Sequence, residues 1–326
     1  MEEYNLKTKV VGVDISTEST TYAIVDIRGN ILAEDSFSTS DYPDVNNFVT
    51  ALSEKIVMLV EANGGYETIR SIGVSCPSAS SVSGCIENAA NLPWKGMVPL
   101  AAMLRDRIGL AVGLSNDAHI SALGEYTFGS AHGMQNFIIV SLGVGVGSCF
   151  FSASHEHQGH QGYAGEFGHT CVVDGGRECG CGHQGCLESY VGAVGIVKTA
   201  EELMAESDKP TLMRALQKLS PRTIAQCCDQ GDEMAIEVFR RTGYMLGLGL
   251  ANYASLIDPE AIILTGGISH AGKWIVDPAY ESFEAHVFGN LKGKVRILMS
   301  KLDDRERDVL GASALAWSVP EYSLFK

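Results

Sequence analysis

His169, Cys179, Cys181 and Cys186 offer one imidazole and three thiols, separated by ten, two and five positions. Thiolate and imidazole are ligands that a tetrahedral zinc ion prefers, and four of them close its coordination sphere. The intervening Gly175, Gly176, Gly180, Gly182 and Gly185 let a backbone wrap closely around such an ion. A closed set predicts a structural zinc, because a hydrolytic zinc keeps one position open for water. Two alternatives stand beside it. His183 could replace His169 as the nitrogen ligand, or the thiols could be unrelated free cysteines in a flexible loop. The run His155-Glu156-His157 with His160 also carries ligand-type residues, but it reads as a solvated loop.

Asn116-Asp117 stands between an apolar strand pattern and a helical run, Ala118 to Phe128. The positive end of a helix holds a carboxylate ionised, which suits a base. The same pair equally suits an N-cap worth about 1 kcal/mol. Glu166 and Glu188 place two more carboxylates on either side of the thiol-rich loop. Either could be a plain surface acid, or could accept hydrogen bonds from the paired hydroxyls of a neutral polyol. Two glycine turns, Leu142 to Gly147 and Leu264-Thr265-Gly266-Gly267, give close backbone approach and free N–H groups for a phosphate or a purine face. The stretch Asp14-Ile15-Ser16-Thr17-Glu18 lies between two apolar runs and reads as a hairpin tip. It carries hydroxyls and acids where a phosphate cradle usually carries glycine.

Alternating apolar character predicts strands near 9–13, 21–26 and 31–37, then a helix over 45–61 and a buried strand over 69–74. A helix near 98–107 and a strand near 110–114 complete a βββαβαβα order, an α/β arrangement of about 117 residues. The pattern then restarts with strands at 137–141 and 148–152 around the second glycine-rich turn, an echo of the opening architecture without sequence similarity. Residues 153–187 read as polar loop, 192–256 as mostly helical, 262–264 and 295–299 as strands, and 306–317 as a terminal helix.

The 326 residues suffice for two domains, and 45% hydrophobic with 19% charged residues is an ordinary globular composition. A net charge of −15 and the lack of a basic cluster argue against nucleic acid as a partner. The amino end begins directly with a strand, so no appended helix-turn-helix is expected. No apolar run reaches the ~18 residues of a membrane span. The start, MEEYNLKTKV, lacks the basic-then-apolar order of a signal peptide, so cytoplasmic residence is expected.

Several stretches fall in a specific order between residues 10 and 315: the Asp14 hairpin, Gly73-Val74-Ser75-Cys76-Pro77-Ser78, Asn91-Leu92-Pro93-Trp94, and Asn116-Asp117-Ala118. Leu123-Gly124-Glu125-Tyr126 with Phe128-Gly129, the turn at 142–147, and Ala164-Gly165-Glu166-Phe167-Gly168-His169 follow. Cys179-Gly180-Cys181-Gly182, Gly185-Cys186-Leu187-Glu188, Asp258-Pro259-Glu260-Ala261 and Thr265-Gly266-Gly267 complete the series. Together they resemble the ROK family of sugar kinases and sugar-responsive regulators.

The resemblance implies the actin-like ATPase (ribonuclease H-like) fold, two α/β lobes with ATP and sugar in the cleft between them. The first lobe would span 1–117, joined by the C-terminal helix 306–326. The second would span 118–305 and carry the zinc loop. By the same resemblance, Asp117 is the general base on a sugar 6-hydroxyl, and Ser78, Asn116, Glu166, His169 and Glu188 meet the sugar. His169 would also ligate structural Zn²⁺ with Cys179, Cys181 and Cys186. Asp14 would organise Mg²⁺. Ser16 and Thr17, with the turns Gly143-Val144-Gly145 and Gly266-Gly267, would hold the phosphates and adenosine of ATP. A homodimer or homotetramer is implied as well.

The sequence departs from the family pattern at four places. The family usually shows D-x-G-G-T where this chain has Asp14-Ile15-Ser16-Thr17-Glu18. Thr17 agrees with the D-x-G-T-T of glycerol-kinase-like relatives, whereas Ser16 adds a side chain to a tight turn. A Glu18 carboxylate held ~4 Å from a phosphate charge would cost on the order of 4 kcal/mol at an effective dielectric near ~20. Val144 stands in place of a usual threonine, and Ser78 in place of a common glycine. The expected activity is therefore ATP-dependent phosphorylation of a hexose or N-acetylhexosamine. The alternative is a sugar-binding or regulatory protein with a lapsed ATP site, and a zinc hydrolase is a third reading that the closed ligand set disfavours.

Overall fold

The computed structural model describes residues 7–89, 91–160 and 162–320. The first six residues of the expected leaderless start, and positions 321–326 of the expected terminal helix, lie outside the described residues. The chain divides into two compact units, Met1–His132 with Lys301–Lys326, and Gly133–Ser300.

In the first unit β1 (Lys9–Ile15), β2 (Ser19–Asp26) and β3 (Ile31–Ser38) form the antiparallel meander, and α1 (Val45–Ala62) follows. Asp44 caps α1 by accepting from Asn47 N at 3.0 Å, one of the donors a helix start leaves unpaired. Strand β4 (Ile69–Ser75) lies parallel to β1. A small sheet that the sequence pattern did not reveal comes next, made of β5 (Ala79–Ser80), β6 (Cys85–Glu87) and β7 (Met97–Val98). Its strands are two or three residues long, too short for any periodicity to register. After α2 (Leu100–Ile108) and β8 (Ala111–Ser115) comes α3 (Asp117–Thr127). The main sheet has the order β3-β2-β1-β4-β8, and β4 is buried along almost its whole length, as a parallel strand covered on both faces must be.

The second unit opens with β9 (Phe137–Leu142), β10 (Val146–Ser152) and β11 (His155–Glu156). The last of these occupies part of the expected polar loop, where Phe151 and Ser152 pair with Glu156 and His155. The helical stretch expected over 192–256 is preceded by a short α4 (Glu188–Val191) and is broken into α5 (Ala193–Glu206), α6 (Pro221–Asp229) and α7 (Glu233–Ile257). Strand β12 (Ala261–Thr265), helix α8 (Lys273–His286) and strand β13 (Arg296–Met299) complete it. No helix was expected at α8, which carries Pro278 within it, a residue that removes a backbone donor. The sheet order is β11-β10-β9-β12-β13. In both units the first three strands of the order pair antiparallel and the remaining joints are parallel. The echo seen in the sequence is thus a complete duplication of topology.

Helix α9 (Asp304–Ser318) returns to the first sheet. Its bed is a row of glycines in register across three strands, Gly12 beside Gly73 beside Gly113. A Cβ on Gly12 would meet the Val309 carbonyl oxygen, and one on Gly73 the Ala312 carbonyl oxygen. A Cβ on Gly311 of α9 would likewise meet the Ile120 carbonyl oxygen of α3. Small residues on both sides let helix and sheet touch backbone to backbone, and Ser71 Oγ donates to the Ala316 carbonyl at 2.6 Å. Val10, Ala23, Val25, Val309, Leu310 and Ala316 bury around this contact. Because α3 packs on α9, the division falls after His132 and not at the expected 117.

Candidate functional site

The hairpin tip between β1 and β2 is closed by Ser16. Its N–H and Oγ both donate to the Ser19 carbonyl at 2.9 Å, and Ser19 N donates back to its Oγ at 3.1 Å. The added side chain therefore stitches its own turn. Thr17 and Glu18 are exposed, and Glu18 has no ion-pair partner among the described residues.

Asp14 lies near the end of β1 and Asp117 at the first turn of α3. Asn116 caps α3 by accepting from His119 N at 2.8 Å, and Asp117 Oδ1 accepts from Ala118 N at 2.9 Å. Burial, then the charge of Asp308, push the Asp14 carboxyl up to about 7, against the opposing pull of Arg307. Desolvation is also the leading cause that raises Asp117, with Asp308 adding to it and the Ala118 N–H opposing it. Asp117 still has an exposed surface. Ser78 adopts a left-handed φ of 58°, a region in which glycine is at ease and a side chain is strained.

Asp308 and Arg307 were not singled out in the sequence. Arg307 is buried, and its Nε lies 3.1 Å from Asp308 Oδ1 and 3.3 Å from Ser121 Oγ. Ser121 Oγ donates to Asp308 Oδ1 at 2.7 Å. Glu306-Arg307-Asp308 looks like an ordinary charged helix turn. The signal for its burial is the run of small residues that follows, Gly311-Ala312-Ser313-Ala314, which marks a helix that lies tightly against something.

In the second unit the four ligand-type residues converge. Their ligating atoms all lie within 4.8 Å of one another. His169 Nδ1 is 3.6 Å from Cys179 Sγ, and Cys181 Sγ is 3.7 Å from Cys186 Sγ. A tetrahedron with Zn–S bonds of about 2.3 Å and a Zn–N bond of about 2.0 Å has S···S edges near ~3.8 Å and S···N edges near ~3.5 Å. The side chains fit such an ion. His183 contributes its backbone to the loop, where its carbonyl accepts from Cys179 N at 2.8 Å. Burial, with the neighbouring thiols, pushes the Cys186 thiol up to about 12, while the His183 N–H lowers exposed Cys181. A cation that favours thiolate would relieve the buried member of this set. The ring of His169 turns its other edge to Glu166, with Nε2 3.8 Å from Oε2.

Glu188, at the start of α4, joins this loop to the first glycine turn. Its Oε2 accepts from Val146 N at 2.9 Å, and its Oε1 lies 3.9 Å from Cys179 Sγ. A side chain on Gly145 would collide with the same carboxylate. The second glycine turn meets the first at Leu142, whose carbonyl accepts from Ile268 N at 3.1 Å. Gly266 has a φ of 84°, and a Cβ there would stand 2.6 Å from that carbonyl oxygen. Gly143, Gly145, Gly266 and Gly267 are thus brought together at the ends of the adjacent strands β9 and β12, with Val144 exposed at the tip. The histidines at 155 and 157 serve local contacts, one with the Ala153 carbonyl at 2.8 Å and one stacked on Phe150.

A sequence profile of the ROK family matches residues 10–319. Glucokinase from Streptomyces coelicolor is 32% identical over 315 residues, 94% of this chain and 96% of its own. The crystal structure of a ROK family glucokinase from Streptomyces griseus, in complex with glucose and AMPPNP, matches with a TM-score of 0.76 at 30% identity. It covers 95% of this chain and 99% of its own. A more distant relative, the xylose repressor of Caldicellulosiruptor bescii, is 26% identical over 322 residues, 96% of this chain and 80% of its own. The duplicated sheets have the actin-like ATPase, ribonuclease H-like, architecture. Matched along nearly its whole length, the chain belongs to the ROK family.

Proposed function

We propose that the chain is an ATP-dependent kinase that phosphorylates the 6-hydroxyl of a hexose or N-acetylhexosamine, with Asp117 as general base. The observation that carries this reading is the Asp117 carboxyl itself. It is accessible, oriented by the Ala118 N–H, and raised in pKa by desolvation and Asp308. A carboxylate with a raised pKa is a better proton acceptor near neutral pH. Ser78, Asn116, Glu166, His169 and Glu188 would bind the sugar hydroxyls, and the relatives named as glucokinases support a hexose.

Phosphoryl transfer needs chiefly alignment and neutralised charge. The glycine turns at 143–145 and 266–267, with Ser16 and Thr17, would align the nucleotide. Mg²⁺, when bound, would neutralise phosphate charge, and Asp14 is suited to hold it because a cation relieves its burial beside Asp117 and Asp308. A zinc ion held by His169, Cys179, Cys181 and Cys186 would fix the ring of His169 and the approach to Glu188. That closed set leaves no position for a hydrolytic water.

ADP release in the presence of glucose, N-acetylglucosamine and N-acetylmannosamine tests the reading. At least one sugar should be turned over, and Asp117→Asn should lower kcat by about 10²–10⁴-fold while sugar still binds. Undiminished turnover by that variant refutes the assigned base. A second reading, a sugar-responsive regulator with a lapsed ATP site, draws on Glu18 and Val144 and on the repressor relative. Calorimetry that detects sugar but no Mg-ATP binding would favour it. The setting we propose is cytoplasmic, with a homodimer or homotetramer as the assembly to test by light scattering. Among the described residues no helix is long and apolar enough to cross a membrane.

A further inference from the structure

A cavity of about 410 Å³ opens in the second unit, lined among others by Arg177, Tyr190, Arg240, Arg241, Tyr244 and Met245. Small-ligand sites run from about 300 to 1,000 Å³, so it is large enough for a metabolite. Three guanidinium groups share it in a chain of net charge −15. Arg177 is the structural one. Its Nη1 donates to the carbonyls of Ser189 and Gly195 at 3.1 and 3.0 Å, its Nη2 to Thr199 Oγ1 at 3.0 Å, and it pairs with Glu202. Its guanidinium also lies 4.8 Å from the centre of the Tyr190 ring.

Arg240 and Arg241 are the less satisfied pair. Both bond one carboxylate, Glu237, Arg240 in bidentate fashion through Nε and, at 2.7 Å, Nη2, and Arg241 through Nε at 3.0 Å. Arg241 reaches its other acid, Glu206, only at 4.0 Å, beyond hydrogen-bond range. Its two terminal nitrogens therefore have no hydrogen-bond partner among the described residues. The terminal nitrogens of Arg241, with Nη1 of Arg240, leave a planar fork of donors, the geometry that grips phosphate. Tyr190, Tyr244 and Met245 provide apolar wall for a carbon body.

We propose that this cavity is a second ligand site, for a small phosphate monoester, and that its occupancy reaches the thiol loop through Arg177. Three phosphate oxygens can engage Arg240 and Arg241 together, which the two of a carboxylate do less well. The route outward is short. Arg177 N donates to Tyr190 Oη at 2.9 Å, and its carbonyl accepts from Gly185 N at 2.8 Å. The residue that walls the cavity thus holds the loop of Cys179 and Cys186, and Tyr190 lies two positions after Glu188. The site goes beyond the kinase reading, because its binding is measurable without sugar or nucleotide.

Isothermal titration of the zinc-loaded full chain with glycerol 3-phosphate tests it, with inorganic phosphate and succinate as comparison probes. Glycerol 3-phosphate should bind, and Arg241→Gln should weaken it by about tenfold or more, with Arg241→Lys intermediate. Asp117→Asn should leave that binding unchanged, which separates this cavity from the proposed sugar site. Transfer of zinc from the thiols to a chromophoric chelator should change by about twofold or more on saturation, and not in Arg241→Gln. Lack of binding at about 10 mM, or binding indifferent to Arg241→Gln, overturns the site. Equal affinity for succinate or for inorganic phosphate overturns the phosphate monoester, and an unchanged zinc transfer rate overturns the link to the loop.

Discussion

Gly73→Ala probes the contact on which the first unit's acid cluster depends. Gly73 is the middle of the glycine row beneath α9. A methyl there would run into the Ala312 carbonyl oxygen and stand 2.8 Å from Ala316 N and 2.9 Å from the Ala312 carbonyl carbon. All three are helix backbone, so no rotamer change relieves the overlap. Carbon contacts relax near ~3.5 Å, and the helix must therefore lift by roughly an ångström or β4 must bend. Overpacking of this kind costs about 1–3 kcal/mol, and weakening the Ser71–Ala316 hydrogen bond adds about 1 kcal/mol. For a unit of this size each kcal/mol moves the melting temperature by about 2–4 °C, so the first unit should melt roughly 5–15 °C lower. Scanning calorimetry is the assay, since a two-unit chain need not melt in one cooperative step. Gly289→Ala is the control, because a Cβ there meets nothing within 4 Å. Gly73→Ala should also reduce turnover, since α9 carries Arg307 and Asp308 beside Asp14. A melt within about 2 °C of the parent, on the same scale, would refute the close-packing argument.

Metal analysis should find one zinc per chain, and Cys181→Ser or a chelator should remove it and speed hydrogen exchange over residues 171–186 while the sheets stay protected; full zinc retention in that variant contradicts the ligand set. Asp14 is raised from 3.8 to about 7, so between those values the folded chain holds a proton that the unfolded chain has released, and stability without Mg²⁺ falls as pH rises through that window. Asp14→Asn should accordingly be the more stable protein above about pH 7 and lose its advantage below about pH 4, and equal denaturation midpoints at both ends would sink the assignment. Glu18 is exposed at the hairpin tip, where solvent screens its charge, so Glu18→Thr should tighten Mg-ATP by less than about threefold. A hundredfold gain, about 2.7 kcal/mol, would mean that the carboxylate meets the nucleotide.

The elements with long apolar patterns were legible because burial imposes a period: β1 to β4, α1, β9 and α9 lie within two or three residues of their sequence ranges. The thiol loop was legible because zinc restricts ligand type and number, and the four atoms do converge. Other parts were hidden for physical reasons. Pro278 lies inside α8, and two-residue strands such as β5 and β11 have no period to read. Arg307 and Asp308 were hidden because burial of a charged pair depends on a partner surface, here the sheet and α3, remote in sequence. The acid that most affects Asp14 after its own burial lies 294 positions away along the chain, at Asp308.

The duplicated topology clarifies why the two phosphate-type turns carry such different residues. Each unit begins with a hairpin whose first strand is flanked by a parallel neighbour, and the turn must be tight in both. In the second hairpin tightness comes from glycine, with Gly143 N donating to the Gly145 carbonyl at 3.0 Å and the Glu188 carboxylate filling the space a side chain would need. In the first hairpin a serine hydroxyl makes the same closure from inside the turn, through Ser19. A glycine there would leave those bonds to the backbone alone. Ser16 is therefore a different solution to one geometric requirement and no sign by itself of a lapsed site, which leaves Glu18 and Val144 as the residues on which the two functional readings divide.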